Sequence, residues 1–147
     1  MQILQDILQN NALWIAICSW FIAQVIKIII ELIRKKKLKL SLIMSSGGMP
    51  SSHSSFVVAV TTVLGLTEGF DSPIFALGAI VSLVVMYDAS GVRRAAGKHA
   101  KIINEMLAGI ENSGIVLDKK LKEMLGHTPI EVLCGAILGI TVALLLY

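Results

Sequence analysis

Apolar positions fall into four long runs along the chain, and the polar breaks between them predict the elements. The first run, 12–33, is interrupted only by Ser19, Gln24, Lys27 and Glu31. A helix of roughly 22 residues rising 1.5 Å per residue is long enough to cross a hydrocarbon core of about 30 Å. The second run, 50–67, opens with Pro50, which suits the first turn of a helix because its missing N–H would be unpaired there in any case. This run is short for a crossing, so its start is expected in a protein-lined recess. After the polar turn ending in Asp71, Ser72-Pro73 gives the same cap-then-proline signal for a third run, 73–90. The last, 129–147, opens with Thr128-Pro129. Residues 1–11 are polar with one acid, Asp6, and are expected at the membrane surface.

Between the third and fourth runs, 91–128 is polar. Within it Ile102, Ile103, Met106, Leu107 and Ile110 recur at helical spacing, as do Leu117, Leu121 and Leu125, with Asn112-Ser113-Gly114 as the breaker. Two amphipathic helices lying against a membrane or under a bundle fit that pattern. The expected fold is an all-α integral membrane bundle of one domain, 1–147, with four transmembrane helices and two cytoplasmic amphipathic helices.

Composition agrees. The 147 residues are 55% hydrophobic and 16% charged, where a soluble globular domain is about 25% charged, and the mean hydropathy is +0.78. Cys18 and Cys134 both lie in apolar runs, so neither a disulfide framework nor a zinc site is expected. No basic segment precedes the first run, which is too long for a signal-peptide core, so it is expected to be retained. Trp14 and Trp20 suit interface or bundle anchors.

Charge sets the orientation. All 13 lysines and arginines fall at the inner end of the first span (Lys27), in the first loop (34–39) or in the second polar loop (93–122). The opposite side carries only Asp6, Glu68 and Asp71. Both basic loops are therefore expected in the cytoplasm and both termini outside, in a multi-pass protein of the cell membrane. The basic rim suits anionic membrane lipids as partners; no nucleic acid is expected. Gly135, Ala136 and Gly139 permit close helix packing within a monomer or between copies, which leaves a homo-oligomer among the options.

In this topology Lys27, Arg34, His53, Asp88, Arg93, Arg94, His127 and Glu131 can converge at the cytoplasmic face. The start of the second span, Pro50-Ser51-Ser52-His53, offers helix N–H groups, hydroxyls and an imidazole, a combination that favours phosphate; a serine-rich cap with an incidental histidine reads the same residues structurally. Lys27 either snorkels to the interface or serves a site, and an ionisable residue inside a span is costly enough to point to function. Asp88 is placed to pair with an arginine or to cap the third span. Glu131 completes a capping box with Thr128, and also lies one turn beyond His127, where a carboxylate would fix the imidazole tautomer. His99 has no acid at that spacing and reads as a surface residue.

These residues resemble the motifs of the type 2 phosphatidic acid phosphatase superfamily, K-x6-R-P, P-S-G-H and S-R-x5-H-x3-D, and most of all its small divergent membrane branch. Here stand Lys27-x6-Arg34, Pro50-Ser51-Ser52-His53, and an arginine pair followed by His127-x3-Glu131. The resemblance covers nearly the whole chain, including the MPSSHS, DASGVRRAAG and LGHTPIEV stretches. Lys35 replaces the proline, Ser52 the glycine and Glu131 the aspartate. Arg93-x5-His99 keeps the third motif's spacing without its acid, whereas His127 keeps the acid far from the arginines; an insertion between arginine and histidine would reconcile the two. The resemblance implies hydrolysis of a lipid phosphate monoester at the cytoplasmic face, without metal or other cofactor. It assigns His127 as nucleophile, Glu131 as its orienting acid and His53 as general acid. Lys27, Arg34, Ser51, Ser52, Arg93 and Arg94 would hold the phosphate, with Asp88 supporting. The alternative is a non-catalytic lipid-binding or scaffolding membrane protein of the same fold.

Overall fold

The computed structural model describes residues 1–35, 47–111, 121 and 126–147. Six helices follow in order: α1 Gln2–Leu8, α2 Asn11–Lys35, α3 Ser52–Glu68, α4 Pro73–Ser90, α5 Val92–Glu111 and α6 Pro129–Leu146. The described residues contain no strand. Both expected cap-then-proline starts form: the Ser72 hydroxyl accepts from the Phe75 N–H at the head of α4, and Thr128 and Glu131 make a complete capping box at the head of α6. Each such cap satisfies helix N–H groups that have no partner within the helix.

The shortest of the four bundle helices is the central one. α3 packs against α2, α4 and α6, and it can do so because its contact positions are small. Ser52, Ser54, Ser55, Ala59, Thr61, Val63 and Gly65 are all buried. Gly135 and Gly139 of α6 face this helix so closely that a Cβ on Gly139 would sit 2.6 Å from the Ser55 carbonyl oxygen, and one on Gly135 would strike the Ser51 carbonyl. Between apolar helices in lipid, van der Waals packing and interhelical hydrogen bonds do the joining, so close approach of small residues is what stabilises the seam. Hydroxyls add to it. The Ser55 hydroxyl donates to the Ser19 carbonyl of α2 at 3.2 Å, the Thr61 and Ser82 hydroxyls meet at 2.9 Å, and Ser82 donates to the Val57 carbonyl of α3 at 3.1 Å.

Only three stretches among the described residues combine the length and apolarity of a membrane span: Asn11–Arg34, Pro73–Ala108 and Pro129–Leu146. This corrects the expected four. α3 has 17 residues, and its first turn, Ser52 to Ser55, is polar. Those polar side chains are tolerated because three neighbouring helices surround them. α4, by contrast, exposes Ile80, Val81, Leu83, Val84 and Tyr87, as a lipid-facing helix should. Of the two expected amphipathic helices, α5 is present; the second lies outside the described residues apart from Leu121. The Asn104 side chain of α5 donates to the Leu121 carbonyl and accepts from its N–H, both at 2.8 Å.

Gly139→Val is expected to destabilise the protein by roughly 1–3 kcal/mol, because the added atoms meet α3 backbone that cannot yield. The exposed Ile137→Ala should change stability by about 0.5 kcal/mol or less. Thermal unfolding in detergent distinguishes the two.

Candidate active site at one end of the bundle

The start of α3 and the start of α6 are held level by backbone. The Ser51 N–H donates to the Glu131 carbonyl at 2.9 Å, which sets His53 and His127 side by side with ring centroids 6.3 Å apart and planes at 63°. Two imidazoles at that separation can address opposite sides of one small tetrahedral group. His53 is half-buried, and His127 is 2% exposed.

His127 is fixed through three contacts. Its backbone N–H donates to the Ala89 carbonyl at the end of α4, at 2.8 Å. Gly126, at φ +83°, lies flat on the α5 backbone, where a Cβ would fall 2.7 Å from the Arg93 carbonyl carbon. The ring is held by Glu131, whose Oε2 lies 3.2 Å from Nδ1. The same Oε2 accepts the Thr128 N–H at 3.0 Å, so one carboxylate both caps α6 and orients the imidazole. A carboxylate accepts, so the ring carries its proton on Nδ1, and the lone pair is left on Nε2. That Nε2 is buried and, among the described residues, makes no hydrogen bond.

Burial pushes the His127 pKa below the ordinary histidine value. The Glu131 hydrogen bond opposes the shift, Lys27 adds to it, and the Glu131 charge and the nearby Gly48 carbonyl pull the other way. The neutral imidazole is therefore the favoured form.

Lys27 reaches the same place from α2. It is 3% exposed, and its stem runs past Gly48, whose φ of +95° and lack of a side chain leave the space: a Cβ there would be 3.3 Å from Lys27 Cγ. Its charge lies in electrostatic reach of Glu131 and of both histidines. Arg93, at the start of α5, pairs with Asp88 at 2.6 Å, and both charges act on His53.

The remaining expected residues are placed as follows. Ser51 and Ser52 are fully buried, and the Ser51 hydroxyl caps its own helix by accepting from the Ser54 N–H at 3.4 Å and the Ser54 hydroxyl at 3.0 Å. Arg94 presents its backbone to Gly126 and its side chain outward, and Arg34 is exposed near the end of α2. His99 is exposed on α5. Thus Lys27, His53, Asp88, Arg93, His127 and Glu131 are gathered, while Arg34 and Arg94 stand at the rim. Sequence reasoning missed Gly48 and Gly126, both at positive φ; the Gly47-Gly48 pair before Pro50 and the glycine immediately before His127 were the available signals.

Fold and site together define a helical membrane protein that gathers two histidines, a buried lysine and an arginine–aspartate pair at one end of its bundle. The chain belongs to the divergent PAP2 family, whose family model matches residues 8–142. It is similar to the uncharacterized membrane protein YuiD of Bacillus subtilis (strain 168), at 42% identity over 154 aligned positions covering 96% of each chain. No solved structure matches it.

In an NMR titration the His127 imidazole is expected to protonate with a midpoint below about 6.5, the ordinary histidine value. Glu131→Gln removes the negative charge and weakens the hydrogen bond, both of which raise the pKa, so the midpoint should fall further. A midpoint above the ordinary value would contradict burial as the dominant cause.

Proposed function

We propose that the protein is a membrane phosphatase that hydrolyses a phosphate monoester of a lipid through a covalent intermediate on His127. The observation that carries this reading is the state of the His127 ring: Nδ1 tied to a carboxylate, Nε2 buried and making no hydrogen bond among the described residues, and a second imidazole beside it. A nucleophile activated and oriented by a neighbouring acid, with a second titratable group at hand, is the recurring arrangement for covalent catalysis.

In the first step Nε2 attacks phosphorus, the bond from phosphorus to the ester oxygen breaks, and the departing oxygen takes a proton from the protonated His53. Nδ1–H stays on Glu131, which stabilises the charge that the ring acquires. In the second step water attacks the phosphohistidine, its proton passes to His53, and the P–N bond breaks to release inorganic phosphate and restore both rings. Lys27 and Arg93 neutralise the charge on the non-bridging oxygens, the electrostatic contribution on which phosphoryl transfer chiefly depends. Arg34 and Arg94 at the rim attract the anionic headgroup, and Asp88 holds the Arg93 guanidinium in place. Ser51 and Ser52 act by shaping the head of α3, with its helix N–H groups beside the phosphate.

The excess of lysine and arginine at the site's end favours the cytoplasm for that end, so the substrate is drawn from the inner leaflet.

Detergent-purified protein in excess chelator should release phosphate from lipid phosphates. His127→Ala should lower kcat by at least about a thousand-fold and His53→Ala by about a hundred-fold or more. Tight lipid binding with no turnover, unchanged in both variants, would make it a binding protein instead.

A further inference from the structure

Two sets of apolar grooves flank α4. On the α6 side, cavities of about 580 and 540 Å³ share Leu83 and Met86. On the α2 side a cavity of about 390 Å³ is lined by Trp20, His53, Phe56, Val57, Val85 and Arg93. α2 and α4 both pack on α3 but hardly on each other, so this groove opens sideways out of the bundle. Of the three cavities it alone has gathered site residues in its wall.

Phosphoryl transfer proceeds in line, with attacking and departing atoms on opposite sides of phosphorus. If His127 attacks and His53 protonates the departing oxygen, everything attached to that oxygen lies on the His53 side. His53 and Arg93 form the polar end of the α2–α4 groove, and Trp20, Phe56, Val57 and Val85 form its apolar walls. The groove thus has the polarity of a lipid phosphate near its ester bond. Its volume is near the low end of the about 300–1,000 Å³ usual for ligand sites, and two aromatic residues narrow it. A glycerol phosphate with two acyl chains would need both chains to leave on this side, within a few bonds of the ester oxygen.

We infer that the site is built for a lipid phosphate borne on a single hydrocarbon chain, an alkyl or prenyl monophosphate, whose first carbons lie between Trp20, Phe56, Val57 and Val85 and which enters sideways from the bilayer. This rests on the phosphatase reading. The α6-side grooves take no part in it, and Phe56 and Val85 set the specificity.

The test compares dodecyl phosphate, farnesyl phosphate, dioleoyl phosphatidate and p-nitrophenyl phosphate as substrates of the full chain in detergent with chelator. The single-chain phosphates should exceed phosphatidate in kcat/KM by about ten-fold or more, the scale on which an apolar pocket discriminates. Val85→Trp should raise KM for the single-chain phosphates by a similar factor, and Leu83→Trp, in the other groove, should leave it unchanged. Phe56→Ala should narrow the preference by improving phosphatidate turnover, a gain that misfolding cannot produce. Equal or better turnover of phosphatidate by the unaltered protein, or a KM effect from Leu83→Trp alone, would overturn the inference while leaving the phosphatase reading in place. Failure to hydrolyse any of the four, p-nitrophenyl phosphate included, would overturn both.

Discussion

The backbone hydrogen bond from the Ser51 N–H to the Glu131 carbonyl, with Gly135 pressed on the Ser51 carbonyl, is the constraint on which the rest depends. It fixes the heads of α3 and α6 at one level, and each head carries one histidine. A side chain at 135 would push the two helices apart and separate the rings. The close approach of small residues that stabilises helices in lipid therefore also sets the spacing of the imidazoles.

A second contact completes the site. Gly126 lies on the Arg93–Arg94 backbone and His127 is bonded to the Ala89 carbonyl, so a chain that left the bundle at α5 returns to the point of departure. Arg93 and His127, more than thirty positions apart in this sequence, thereby stand on adjoining segments. Burial keeps the imidazole neutral, while Glu131 keeps its proton on Nδ1. Lys27, threaded past Gly48, supplies positive charge without exposing its own to lipid.

Helix bounds were legible where an apolar run begins with a cap and a proline, as α4 and α6 do at Pro73 and Pro129; Pro50, expected in the first turn of α3, instead precedes the Ser51 cap, and the helix starts at Ser52. The number of spans was less so. The shortness of the second run points to a protein-lined recess for its start, and the polar first turn of α3 is indeed enclosed by three helices, but the apolar run still counts as a span by its sequence. The gathering of the histidines and of Arg93 followed from span order and charge, whereas the contact that seats His127, Gly126 at positive φ on the α5 backbone, did not. The serines show why composition misleads locally. Ser51 has the residue type and position of an anion ligand, yet its hydroxyl is engaged in capping its own helix, and Ser55 joins α3 to α2.

The most direct measurement is to trap the covalent intermediate. Protein mixed with a radiolabelled lipid phosphate and quenched in alkali, where phosphohistidine survives, should carry label on the peptide containing His127. That label should be acid-labile and absent from His127→Ala. Turnover without any labelled protein, or label on His99, would contradict the account.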